Sequence, residues 1–130
     1  MNRIDVALAI IVRDERLLIC RRRQADQLGG FWEFPGGKAT LGEGIQQCLN
    51  RELQEELGID VEPVAALSSI DHDYPDILVR LHPFLCVHKI GEIKPLACQE
   101  LRWVKASSLP DYSFPPANAD LINQLVRLLG

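Results

Sequence analysis

The chain has 130 residues, of which 47% are hydrophobic and 25% charged, and its formal net charge is −4. That length suits one domain spanning 1–130, able to bury most of its apolar surface without disulfide or metal staples. The acidic balance excludes a binder of nucleic-acid backbones, which needs a basic face, but leaves room for a small anionic ligand at a local site.

No apolar run nears the roughly 18 residues of a membrane span. The run Val6–Val12 follows Asp5, lacks a small-residue cleavage signal after it, and reads as a buried strand rather than a signal peptide. A cytoplasmic protein with no membrane partner and no direct nucleic-acid partner is therefore expected. Cys20, Cys48, Cys86 and Cys98 form no CxxC pair, which argues for reduced core thiols over a zinc site or a disulfide framework.

In chain order, Ile4–Val12 and Leu17–Cys20 flank the polar stretch Arg13-Asp14-Glu15-Arg16 and predict a hairpin. Arg21-Arg22-Arg23 leads into a polar loop ending in Gly29-Gly30. Phe31–Phe34 then reads as a short strand stopped by Pro35-Gly36-Gly37, with a glycine-rich bend to follow. From about Gly44 the period becomes helical, with Leu49, Leu53 and Leu57 on one face and Gly58 as the stop. Thr40 with Glu43 would allow an earlier helix start, whereas Gly42 and Gly44 argue for a later one.

Val61–Ser69 and Ile77–Lys89 read as strands separated by a polar loop over Asp71–Asp76, with Pro83 marking a bulge or an edge. Leu101–Val104 is a further short strand. After Pro115-Pro116, Leu121, Ile122, Leu125, Leu128 and Leu129 predict an amphipathic closing helix. No repeat or linker divides the chain, and these residues leave the oligomeric state open.

Glu52, Glu55 and Glu56 crowd one helical face within roughly 100° of arc. Like charges at this spacing repel, and near a helix C-terminus the dipole also disfavours anions. Mg²⁺, or Mn²⁺ in its place, reverses that penalty because it prefers carboxylate oxygen; a solvated acidic face balanced by Arg51 is the bland alternative.

The wider spacing decides between them. Gly37, five residues, Glu43, seven residues, and then Arg51-Glu52-Leu53-Gln54-Glu55-Glu56-Leu57-Gly58-Ile59 resembles the Nudix box at every defined position. The resemblance implies an α/β (α+β) fold, the αβα sandwich with a central mixed β-sheet. It also implies Mg²⁺ or Mn²⁺ held by Glu52, Glu55, Glu56 and the Gly36 carbonyl, with Glu43 and Arg51 shaping the loop.

Val6–Ile11, Arg21-Arg22, Glu33–Lys38, Pro75-Asp76 and Phe114-Pro115-Pro116-Ala117-Asn118 extend the likeness over nearly the whole chain. They resemble the MutT-like branch, which hydrolyses oxidised guanine nucleotides. By that resemblance Asn118 reads the guanine edge, Phe34 and Arg22 border the base, and Ile4, Val6 and Val79 form apolar walls. Two departures bear on base choice: Ile77 and Leu78 replace a basic pair, and the loop before Trp103 is shorter. Glu100 stands where related enzymes carry a loop carboxylate that completes the metal site or activates water; an isolated surface glutamate is the alternative.

The expected reaction is hydrolysis of 8-oxo-dGTP to 8-oxo-dGMP and pyrophosphate, with water attacking the β phosphorus and Glu52 or Glu100 as base. Two alternatives stand beside it. One is a pyrophosphohydrolase of CTP, dCTP or modified pyrimidine nucleotides, with which Trp32-Glu33-Phe34 is compatible. The other is a non-catalytic Nudix-like nucleotide-binding module, although such modules usually lack box carboxylates that are all present here. Gly36-Gly37-Lys38 is not a P-loop, since Ala39 replaces the required Ser or Thr. His72, His82 and His88 share no ligand spacing and carry no assigned role. Asn118 could alternatively cap the last helix.

Overall fold

A computed structural model describes residues 2–25 and 28–130. Eight strands and two helices follow the order β1 (Asn2–Arg13), β2 (Arg16–Arg21), β3 (Trp32–Glu33), β4 (Gly36–Lys38), α1 (Ile45–Leu57), β5 (Asp60–Ala66), β6 (Ile70–Tyr74), β7 (Ile77–Ile90), β8 (Glu100–Val104) and α2 (Ala119–Leu129). Short 3-10 turns occupy Ala106–Asp111 and Pro116–Asn118. The sheet is mixed, in the order β3-β2-β1-β7-β5, with β4 on β1, β6 on β7 and β8 on β2. β1 and β7 run parallel and the other pairings are antiparallel.

The period-two alternation of β1 creates two cores. Ala7, Ala9 and Ile11 point toward Cys48, Leu49, Leu53 and Leu57 of α1. Leu8 and Ile10 point the other way, toward Leu121, Ile122 and Leu125 of α2. One helix on each face gives the αβα sandwich. All four cysteines are buried, unpaired thiols, and no helix among the described residues is long and apolar enough to cross a membrane.

Local differences from the sequence expectations have physical reasons. The β1–β2 turn places Asp14 and Glu15 at φ of 51° and 64°, the left-handed backbone a tight hairpin needs even without glycine. Gly36–Lys38, expected as a bend, is a strand: Val6 pairs with Lys38, Ala7 with Gly37 and Leu8 with Gly36. Residues 71–74, expected as loop, belong to β6 because Asp71 and Asp73 lie on an exposed edge where polar strands are tolerated. The helix starts late, at Ile45, with the Gln47 side chain accepting from the Gly44 N–H at 3.2 Å, and Gly58 closes it at φ 70°. On α2, Leu128 and Leu129 are exposed, while Leu121, Ile122 and Leu125 are buried. The expected loop before Gly29 includes Asp26 and Gln27, which lie outside the described residues.

Pro83 sits in the central strand β7, neither at a bulge nor at an edge. Its carbonyl accepts from the Leu67 N–H at 2.9 Å, so its nitrogen faces the same side. There β5 has ended at Ala66 and β6 has not begun until Ile70. The missing donor falls at a gap in the ladder and costs no rung.

Candidate active site

The start of β4 and the C-terminal half of α1 meet at the edge of β1, and there a cleft of about 470 Å³ opens, lined by Val6, Leu8, Arg22, Glu33, Phe34, Gly36, Gly37, Lys38, Glu52, Glu56, Tyr74, Leu81, Pro115 and Asn118. A neighbouring cavity of about 530 Å³, bordered by Arg3, Asp5, Thr40 and His82, is larger but contains neither Glu52 nor Glu56. The chemistry lies in the first, where carboxylates, bare glycine backbone and apolar surface converge.

Glycine is required where β4 passes α1. At Gly36, with φ of 149°, an added Cβ would stand 1.9 Å from the Ala7 carbonyl oxygen. At Gly37 it would meet the Glu52 carboxyl group, 2.4 Å from Cδ. The strand can thus lie directly under the carboxylates.

Each glutamate of the helix meets a different environment. Glu56 accepts the Gly36 N–H at 2.9 Å, and a small void behind it is walled by Cys20, Cys98, Ala97 and Glu33. Burial pushes its carboxyl up to about 8; the Gly36 hydrogen bond pulls the other way, and the negative charges of Glu33 and Glu52 add to the rise. Glu52 accepts from Arg51 Nη1 at 2.9 Å. Glu55, with its side chain 59% exposed, stands 3.4 Å from the same nitrogen and does not line the cleft.

Arg51 is the hub of the preceding loop. Its Nε and Nη2 donate to Glu43 at 2.8 and 3.0 Å, and Nη2 also reaches the Lys38 carbonyl at 3.1 Å. The Arg51 guanidinium, and after it the Thr40 N–H, hold the Glu43 carboxyl down at about 2, while the two carboxylates raise the guanidinium's own pKa. A forked donor therefore fixes loop, helix and Glu52 together.

Of the residues expected at the site, Val6, Arg22, Phe34, Gly36, Glu52, Glu56 and Asn118 come together here. Arg22 donates to Glu33 at 2.7 Å. Phe34 is only 2% exposed and stacks on Phe114, with ring centroids 5.1 Å apart. Asn118 makes no side-chain cap on α2, so its amide is not committed to the helix end.

Four expected residues lie elsewhere. Ile4 borders the neighbouring cavity, and Val79 packs against the α2-side core. Glu55 is on the outer rim. Glu100 is held between Arg21 at 3.4 Å and Arg102 at 3.0 Å on β8, away from the cleft. Sequence reasoning overlooked Leu8, which the alternation from Val6 would have found. It also overlooked Leu81, Glu33 and Tyr74, which depend on strand pairing that one sequence does not display.

A family model described as a NUDIX domain matches residues 6–124, and the chain belongs to that family. It is 33% identical to an 8-oxo-dGTP diphosphatase of Escherichia coli (strain K12), over 98% of this chain and 100% of that protein. It is 31% identical to the CTP pyrophosphohydrolase of the same strain, over 98% of this chain and 95% of that one. The solution structure of the E. coli ORF135 protein superposes with a TM-score of 0.86 at 30% identity, covering 98% of this chain and 91% of that one.

Proposed function

We propose that this protein is a metal-dependent nucleoside triphosphate pyrophosphohydrolase acting on 8-oxo-dGTP, releasing 8-oxo-dGMP and pyrophosphate. The observation that carries the reading is the half-buried Glu56 carboxyl beside Glu52, on bare glycine backbone, in a cleft also lined by Val6, Leu8, Leu81 and Asn118. The 8-oxo-dGTP diphosphatase relatives support the choice of substrate.

The donor chemistry fits a hard divalent cation. Glu52, Glu56 and the Gly36 carbonyl supply oxygen only, and a carboxyl as desolvated as Glu56 is most stable ionised when a cation sits beside it. Among the described residues no three Asp, Glu, His or Cys side chains form a ready-made cluster. Mg²⁺ is commonly held by one or two carboxylates with the remaining positions left to water and substrate phosphate. When bound, the ion would neutralise charge on the phosphate oxygens.

The chain's own residues do the rest. Val6, Leu8 and Leu81 exclude water around the base, and Asn118 offers it a donor and an acceptor. Arg22 presents a guanidinium to the nucleotide. Glu52 takes the proton from the water that attacks the β phosphorus. Glu52 is preferred over Glu100 as base because Glu100 is engaged by two arginines outside the cleft.

A second reading, hydrolysis of CTP or dCTP, is favoured by the similarity to a CTP pyrophosphohydrolase. Steady-state assay of 8-oxo-dGTP, dGTP, CTP, dCTP and ADP-ribose with Mg²⁺ separates the two. The reaction is also run in ¹⁸O-water, where label in pyrophosphate is expected and label only in the monophosphate would reject attack at β.

A further inference from the structure

We propose that Tyr74 is the aromatic surface on which the bound nucleobase stacks, in a site where the sequence resemblance places only Phe34 and Arg22 at the border of the base. The inference rests on the nucleotide reading above and identifies how that site grips its ligand. Two aromatic residues line the cleft, and they differ in what they offer. Phe34 is 2% exposed and its face is already taken by Phe114. Tyr74 is 40% exposed. The remaining apolar lining there is aliphatic, from Val6, Leu8 and Leu81. A flat base entering this space finds one accessible ring.

The ring is also held. Tyr74 ends β6, pairs with Ile77 across the Pro75-Asp76 turn, and packs against the His72 ring in a T-shaped contact, centroids 4.7 Å apart at 63°. A side chain supported on a hairpin presents its face at lower entropic cost than one free on a loop. Because every base has a π face, such a platform strengthens binding with little choice among bases, which leaves discrimination to Asn118 on a different element.

The test compares wild type, Tyr74→Ala and Tyr74→Phe in metal-free equilibrium binding of 8-oxo-dGMP, dGMP and CMP, and of inorganic pyrophosphate, which has no base. Tyr74→Ala should weaken binding of each monophosphate roughly five- to hundredfold, leave pyrophosphate affinity unchanged, and raise KM for the triphosphate while kcat stays within about twofold of wild type. Tyr74→Phe should restore wild-type behaviour. Unchanged monophosphate affinity in Tyr74→Ala would overturn the proposal, as would equal loss in Tyr74→Phe or a parallel loss for pyrophosphate. Stacking without turnover would sink the hydrolase reading alone, whereas an unchanged KM for the triphosphate in Tyr74→Ala would sink the stacking role alone.

Discussion

The Glu52 carboxyl group lies directly on Gly37, so close that a methyl group at that position would stand 2.4 Å from its Cδ. The obstacle is the far end of a flexible side chain, whereas at Gly36 it is the Ala7 carbonyl at 1.9 Å. Gly37→Ala should therefore leave the melting temperature near wild type and lower kcat steeply, because Glu52 must swing away. Gly36→Ala, which also imposes a positive φ on alanine, should destabilise the fold by several kcal/mol, on the order of 2–4. Thermal melts alongside kcat distinguish the two, and a Gly37→Ala enzyme with wild-type kcat would contradict the placement of Glu52.

Glu56 should make the metal-free protein less stable as pH rises. Its folded carboxyl titrates at about 8, raised by burial above its ordinary 4.5, so between those values the native state binds more protons than the unfolded chain. Stability is then highest below the lower value, falls through the interval, and levels off above about 8. The shift corresponds to roughly 4–5 kcal/mol at most. Urea melts in EDTA at several pH values should show this slope in wild type and lose it in Glu56→Gln. The variant should also lose nearly all turnover; retention of wild-type rate would remove Glu56 from the site.

Arg51→Lys should fail to replace arginine. Lysine cannot reproduce the fork to Glu43 together with the contacts to Glu52 and the Lys38 carbonyl. A ten- to hundredfold loss in kcat/KM, of the size roughly expected for a residue that orients ligands, is the expected outcome. Faster amide exchange at Thr40 and Glu43 should accompany it. Wild-type kinetics in the lysine variant would mean that charge alone suffices.

Asn118→Ala should narrow the preference for 8-oxo-dGTP over dGTP by about ten- to hundredfold. Oxidation at C8 turns N7 into a donor that the amide oxygen can accept, whereas ordinary guanine opposes acceptor to acceptor. A buried mismatch of that kind costs about 1–3 kcal/mol. The measurement is the ratio of kcat/KM values, and an unchanged ratio would reduce Asn118 to a helix-end residue.

Local pattern made α1 legible, because Leu49, Leu53, Leu57 and Gly58 state its buried face and its end within one stretch of chain. The box carboxylates could be read for the same reason. What escaped the sequence depends on pairing between distant strands. Residues 36–38 have no propensity to be a strand and become one because β1 offers an edge. Tyr74 and Leu81 reach the cleft through the β6–β7 and β1–β7 registers. Glu55 and Glu56 are neighbours with near-identical local codes, and the tertiary position of β4 half-buries one and leaves the other open to solvent.

The β1–β7 pairing sets Asn2 opposite Ile77 and Ile11 opposite Cys86, so the whole segment carrying β2, β4 and α1 is looped out between partners. Closing so long a loop before any rung forms is entropically slow. During synthesis α1 can cover the Ala7, Ala9 and Ile11 face early, but the opposite face is not fully covered until Ala106, Leu109 and then α2 have left the ribosome. The nascent protein thus acquires its acidic helix long before the base pocket. A chain truncated before Pro115 would retain the carboxylates yet lack Asn118 and the lid over Leu8 and Ile10, leaving an exposed apolar sheet prone to association rather than a crippled enzyme.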